Sequence, residues 1–142
     1  MILFKNKFMT IHFRKEDIYP FLELIWSEQT RNMSVPEYKS CVEKYLELVL
    51  DFRPAQVLIE TKLFLFSISP DIQEWIIESI TPKTLEAGLS RMALIVTEDF
   101  FSQLSIEQTM ENPAPNFDVK YFKNRISALE WIQNPNSTNG FH

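Results

Sequence analysis

Ser69 is the residue best placed for chemistry, because it stands between an apolar run and a proline in the order Ser67-Ile68-Ser69-Pro70-Asp71. Where a strand gives way to a helix, a serine hydroxyl can accept a hydrogen bond from a helix-start amide, touch an anionic ligand, or take a phosphate. Capping is the expected role, since Ser followed by Pro is what a helix start asks for. A phosphate on Ser69 would add about −1.5 to −2 charges at that helix start, enough to dismiss a partner. Thr97-Glu98-Asp99 ends a second apolar run. Carboxylates at a strand end can serve as general bases or metal ligands, but these precede Phe100 as a helix cap would. Glu60 and Lys62, after a third apolar run, read as a solvated pair.

The remaining reactive side chains lack partners at useful spacing. His12 has no Cys, Asp or second His at ligand spacing, and His142 lies in the last residues, so no metal site is expected. Cys41 is the single cysteine and keeps the apolar rhythm of its helix, reading as a small buried hydrophobe. Ser34, Ser69 and Ser105 have no G-x-S-x-G surroundings, so a hydrolase triad has no foothold. Two glycines, Gly88 and Gly140, exclude a P-loop and a dinucleotide fingerprint, which need several closely spaced glycines to bring backbone N–H groups to phosphate. No catalytic residue and no cofactor are expected.

An aromatic set does stand out. Phe64, Phe66, Trp75, Phe100 and Phe101 gather around the crossing after one strand and the end of the next. They form either ordinary core or a pocket or greasy patch that receives a partner or a small apolar ligand. The contact surface expected on either functional reading comprises Phe64, Phe66, Ser69, Asp71, Trp75, Thr97, Glu98, Phe100 and Phe101.

The elements that must position these residues follow from periodicity. Phe8 to Arg14 and Phe21 to Trp26 read as strands forming an antiparallel pair, although the second run could also be a helix turn. Ser34-Val35-Pro36-Glu37 has capping-box spacing, and Tyr38, Cys41, Val42, Tyr45, Val49 and Phe52 follow as the apolar face of a helix ending near Arg53-Pro54. Val57-Leu58-Ile59 is apolar on both faces, which suits a central strand. A helix from Ser69 and Pro70 buries Ile72, Trp75, Ile76 and Ile80 until Pro82 ends or kinks it; a further turn, Lys83 to Ala87, closes on Gly88 as a left-handed cap. Met92 to Val96 is a buried strand, and Phe100 to Met110 a short helix with Phe101 and Leu104 inward. Asn112 to Asn116 is a loop, Val119 to Phe122 the last strand, and Ser127-Ala128-Leu129-Glu130 a second capping-box spacing ahead of Trp131 and Ile132. The order β-β-α-β-α-β-α-β-α predicts an α/β fold: a small mixed, mostly parallel sheet with an N-terminal antiparallel hairpin and about four helices.

Composition limits the function classes. A chain of 142 residues with 45% hydrophobic and 13% aromatic content suits one folded domain with a real core. A net charge of −5 and no basic run argue against nucleic-acid backbones and anionic membranes as partners. The N-terminal stretch is broken by Lys5, Asn6 and Lys7 and does not read as a signal peptide, and no run has the ~18 apolar residues of a membrane helix. With one cysteine, a cytoplasmic location is expected.

The buried strand leading into Ser69-Pro70, the run GLSRMALIV (88–96) after a helix, and the closing run VKYFKNRISALEWI (119–132) together resemble the STAS superfamily. The nearer similarity is to its SpoIIAA-like branch, whose members commonly end in a strand, a turn and an A-L-x-W-[LI] helix, matched here by Ala128-Leu129-Glu130-Trp131-Ile132. The resemblance spans about Phe8 to Ile132 and rests mostly on hydrophobic patterning. It implies a small mixed sheet with helices largely on one face; the chain length suits one domain, over residues 1–133, and the polar, turn-rich residues 134–142 read as a flexible tail. Anti-anti-sigma factors of this superfamily carry D-S-[ST]-G at the strand-to-helix loop, where a partner kinase phosphorylates the Ser or Thr. Here Ile68 stands in the Asp position and Asp71 in the glycine position, leaving Ser69 or Ser67 as the remnant acceptor. The resemblance implies a non-enzymatic regulatory module working through an unknown protein partner or as a homodimer. The alternative is a carrier of a small lipid-like ligand, by fold-level analogy with SEC14-type domains.

Overall fold

In the computed structural model of the chain, which describes residues 1–107 and 118–134, six strands form one mixed sheet in sequential order. The strands are β1 (Ile2–Lys5), β2 (Met9–Arg14), β3 (Phe21–Trp26), β4 (Gln56–Glu60), β5 (Arg91–Ile95) and β6 (Asp118–Phe122). β1, β2 and β3 pair antiparallel, and β3 to β6 pair parallel. The α/β class and the opening hairpin are as the sequence predicts. β1 is an additional strand, too short to show a period. It is folded back by Asn6, whose side-chain oxygen accepts from the N–H groups of Phe8 (2.8 Å) and Met9 (2.9 Å), making a tight Asx-type turn. The ambiguous Phe21–Trp26 run is a strand because it is paired along both edges.

The crossover from β3 to β4 is α1 (Val35–Phe52). Its start is the expected capping box, with Glu37 N–H donating to Ser34 Oγ (3.2 Å) and Ser34 N–H to Glu37 Oε1 (2.9 Å). Arg53, in the left-handed region at φ 47°, ends it before Pro54. Tyr38, Cys41, Val42, Tyr45, Leu46, Leu48 and Val49 form its buried face, while Phe52 stays exposed.

Between β4 and β5 the chain forms one continuous helical segment: α2 (Pro70–Trp75), a π turn (Ile76–Ile80) and α3 (Thr81–Glu86). Pro82 neither ends nor sharply breaks it. Proline has no N–H for the Glu78 carbonyl and its ring would press on it, and the widened turn just before, closed by Thr81 N–H to the Ile76 carbonyl, absorbs the conflict. Gly88 at φ +105° then terminates α3, with Gly88 N–H bonding the Leu85 carbonyl (3.0 Å) and Leu89 N–H the Thr84 carbonyl (3.1 Å), a Schellman closure.

α4 (Glu98–Glu107) follows β5, and α5 (Arg125–Ile132) follows β6. Two sequence expectations shift here. The final helix begins at Arg125 and is capped by Asn124, whose side chain accepts from Ser127 N–H (2.9 Å); Ser127 lies inside the first turn instead of capping it. α4 begins at Glu98, capped by Thr97 Oγ1 accepting from Phe100 N–H (3.2 Å), so Glu98 and Asp99 sit in its first turn, where carboxylates suit the helix dipole. The expected loop at 112–116, the expected helix end at Met110, the side chain of Leu104 and the tail at 135–142 lie outside the described residues.

Strand alternation splits the core. Leu22, Leu24, Trp26 and Val57 pack with the buried faces of α1 and the π-containing helix. Phe21, Leu58, Ala93, Ile95 and Phe122 pack on the other face against Ala128, Trp131 and Ile132 of α5. The crossovers α1 and α2–α3 thus share a face, and α5 closes part of the opposite one. At its far end α5 is fastened by buried Arg91, whose guanidinium stacks on Trp131 (3.8 Å) and donates to the Trp131 carbonyl and Gln56 Oε1 (both 3.1 Å). A cation at a helix C-terminus also meets the negative end of the dipole.

Candidate functional site

The helical face of the sheet is not filled completely. A cavity of about 610 Å³ lies between the sheet, α1 and the π-containing helix, toward the C-terminal ends of the parallel strands. That end is where open α/β sheets generally place ligands, and the volume is in the range of small-molecule sites. Its floor is Leu24, Ile59, Met92 and Leu94; α1 supplies Tyr38, Val42 and Tyr45; the π turn and α3 supply Ile76, Ile80, Thr81 and Thr84. The π turn therefore falls in the wall of the cavity, where its extra residue sets the phase of Ile76 and Ile80 against Thr81 and Thr84.

A strap over residues 61–69 forms the side at the strand ends. It has no ladder partner yet alternates: Phe64, Phe66 and Ile68 are half-buried, whereas Leu63, Leu65, Ser67 and Ser69 are exposed. Thr30 pins it. This residue is fully buried in the 3₁₀ turn Glu28–Asn32, and its hydroxyl accepts from Leu65 N–H (2.8 Å) while donating to the Ser27 carbonyl (2.8 Å). At the root of the strap, Thr61 Oγ1 donates to the Ile95 carbonyl (2.8 Å).

Four rings gather where strap, strand and α1 meet. Phe66 stacks on Tyr38 at 4.9 Å and Phe64 tilts against Trp26 at 4.9 Å, with Trp26 also stacked on Tyr38 at 5.9 Å. Such pairs contribute roughly 0.5–1.5 kcal/mol each beyond burial, so this side of the cavity is well organised. Burial pushes the Tyr38 phenol up to about 12, with Cys41 adding to the effect, and raises the Tyr45 and Tyr121 phenols as well. Tyr45 is 7% exposed, and its hydroxyl meets no hydrogen-bonding group among the described residues.

Of the sequence-predicted contact residues, Phe64, Phe66, Thr97 and Phe100 line this cavity. The others lie elsewhere. Ser69 is exposed and its Oγ accepts from Ile72 N–H (3.3 Å), as a cap does; Ser67 and Asp71 are exposed. Trp75 faces α1, with Lys39 Nζ 5.0 Å above its ring. Glu98 pairs with Lys123 (3.7 Å), whose Nζ also sits 5.5 Å from the Phe101 ring centre. Sequence reasoning assigns Tyr38 and Tyr45 to core; the signal that could have marked them is a hydroxyl at each of two buried helix positions, which must find a partner or go without.

The opposite face holds a charge cluster. Glu23, fully buried on β3, lies 2.8 Å from Arg14 Nε, and its second oxygen meets the Arg125 guanidinium in an ionic contact outside hydrogen-bond geometry. Arg125 also approaches Glu60 (3.8 Å), so Glu60 faces an arginine of α5 instead of forming the expected pair with Lys62. His12, opposite Glu23 in register, has its pKa lowered mainly by burial and then by Arg14, partly offset by Glu23. Cys41 is buried, accepts a weak bond from Asn6 (3.6 Å), and has its thiol pushed up by burial.

Among the described residues, no group of three or more His, Cys, Asp or Glu side chains could hold a metal ion, and no helix is long and apolar enough to cross a membrane. No protein-family model, curated protein or solved structure matches the chain.

Proposed function

We propose that this protein is a non-enzymatic binding module that holds a small apolar ligand between its sheet and the α1 and α2–α3 helices. The observation that carries the reading is the cavity of about 610 Å³, walled mostly by aliphatic and aromatic side chains, with four threonines and Gln73 among them. A chain that buries Trp26, Val49 and Val57 so fully has the means to fill such a space, and leaving it open forgoes packing contacts. Among the described residues no nucleophile–base pair accompanies the cavity, which favours holding over turnover.

A second reading, a STAS/SpoIIAA-like regulatory module acting through a protein partner, draws support from Leu63 and Leu65. They stand 51% and 46% exposed on the outward side of the strap whose inward side lines the cavity. On this reading a partner contacts the strap directly, and Ser69 at its end is the residue a kinase would modify.

Fluorescence titration with N-phenyl-1-naphthylamine, an uncharged apolar probe, tests the first reading. Saturable one-to-one binding is expected, together with its loss in Leu94→Trp, which places an indole on the cavity floor. Absence of saturable binding by a folded wild type, or equal binding by Leu94→Trp, would overturn it. Native mass spectrometry of freshly purified protein gives an independent check, with a co-purifying small apolar mass expected.

A further inference from the structure

We infer that the ligand of this cavity is a linear amphiphile, held apolar end inward with its polar group at the mouth beside Gln73. This rests on the ligand-binding reading above and specifies the ligand's class and orientation.

The hollow runs along the parallel strands, and the register lays out its depth. Met92 stands opposite Val57 near the start of β5, Leu94 stands opposite Ile59 one layer on, and Val96, Thr61 and Trp26 lie just past the last paired residues. At about 3.3 Å per residue, the lining from Met92 to Thr97 extends roughly 16 Å. The helices descend from the strand ends inward: α1 passes from Tyr38 to Tyr45, and the π-containing helix from Gln73 through Ile76 and Ile80 to Thr84. Tyr45, Ile80 and Thr84 close the inner end and are buried. Among the described lining residues only Gln73, Thr97 and Phe100 are exposed, and all three stand at the strand ends. The mouth is there.

Hydrogen-bonding capacity follows the same axis. At the inner end the Tyr45 hydroxyl is enclosed by protein, and Thr84 Oγ1 donates its proton to the Thr81 carbonyl (2.8 Å). Thr81, half-buried, stands midway along the wall. At the mouth, the Gln73 side-chain amide makes no hydrogen bond to any described residue. Thr97 Oγ1 accepts from Phe100 N–H (3.2 Å) and keeps its own proton to donate. A polar group carried to the inner end would lose its hydration. Left at the mouth, it stays in water and meets an amide that both donates and accepts. An alkyl chain meanwhile brings the floor of Leu24, Ile59, Met92 and Leu94 the contacts that an open space forgoes.

The test is displacement of N-phenyl-1-naphthylamine by three ten-carbon probes, 1-decene, 1-decanol and 1,10-decanediol, in wild type and Gln73→Met. Wild type should bind 1-decanol at least as tightly as 1-decene, because one hydroxyl stays at the mouth. The second hydroxyl of 1,10-decanediol must enter the inner end, so the diol should bind about 5- to 150-fold more weakly than 1-decanol. Loss of one neutral hydrogen bond predicts that Gln73→Met binds 1-decanol about 2- to 10-fold more weakly, with 1-decene undiminished. Melting of the ligand-free proteins is the folding control, and the comparison of diol with alcohol needs no variant. A diol that binds as tightly as 1-decanol, a wild type that prefers 1-decene to 1-decanol, or an unchanged 1-decanol affinity in Gln73→Met each overturns the orientation while leaving the cavity reading intact. Failure of the fluorescent probe to bind wild type sinks the cavity reading itself, and the orientation with it.

Discussion

Removing the carboxylate of Glu23 should be nearly harmless, whereas removing its two arginines should be severe. Glu23 has a side chain 0% exposed, while those of Arg14 and Arg125 are 35% and 40% exposed. When Glu23→Met deletes the acid, both guanidiniums can turn to water and no buried charge is stranded. Replacing a buried ionic group by an apolar side chain of similar size is often neutral or stabilising, so a change within about 1 kcal/mol is expected. Arg14→Met with Arg125→Met does the reverse, leaving a carboxylate on the central part of β3 that cannot reach solvent. An uncompensated buried charge costs about 3–5 kcal/mol, or roughly 6–20 °C in Tm for a chain of this length. Each single arginine variant should fall well short of half that loss, because the remaining guanidinium still neutralises the acid; the pair is therefore strongly non-additive. Urea denaturation of the five variants, including the triple one, against wild type measures all of this. The triple variant should recover most of the stability lost by the double one. If Glu23→Met alone costs as much as the double arginine variant, or the triple variant recovers nothing, the reasoning fails and the carboxylate is a net source of stability.

Two further outcomes follow from groups near the cavity. Tyr38 is held up to about 12 and Tyr45 is raised further by burial, whereas unfolded tyrosines ionise near pH 10. Above pH 10 the unfolded chain therefore binds fewer protons than the native one. This contribution is fully present below pH 10 and is lost as pH rises through about 12, so urea midpoints should decline from pH 9.5 to 11; a flat profile contradicts the burial of these phenols. Thr30→Val removes the hydroxyl that receives Leu65 N–H and leaves that amide unpaired, at a loss of about 1–3 kcal/mol. Amide exchange at Leu65 should quicken relative to the strands, and unchanged protection would show that Thr30 does not pin the strap.

The architecture is legible in the sequence wherever one period dominates over enough residues. The run from Tyr38 to Val49 repeats its apolar positions over several helical turns behind a complete capping box, and Val57-Leu58-Ile59 is uninterrupted. Short elements escape this logic. β1 offers only four residues, and its strand character depends on pairing with β2 across the Asn6 turn. Asn124 out-competes Ser127 as a cap because its carbonyl stands three residues before the Ser127 amide, a choice that spacing alone leaves open. The site is legible in part. Phe64, Phe66, Thr97 and Phe100 do line one space, because the strap alternates like a strand and places every second ring inward. Trp75 does not, since the helix carries it toward α1 and Lys39. The hollow beside α1 is hidden because a periodic face distinguishes inside from outside, and cannot distinguish a packed interior from a hollow one.

The sequential strand order has a kinetic meaning. No strand is inserted between two earlier ones, so each can add to an edge already formed as the chain emerges from synthesis, and long-range searching is kept small. α5 is the exception. It carries Arg125 back to Glu23, and the Gln133 side chain bonds the Tyr19 backbone in both directions at 3.0 Å. Without that helix the acid on β3 would have only Arg14 beside it. Docking of the last described helix thus completes the neutralisation of an acid that the sheet by itself would leave to one arginine.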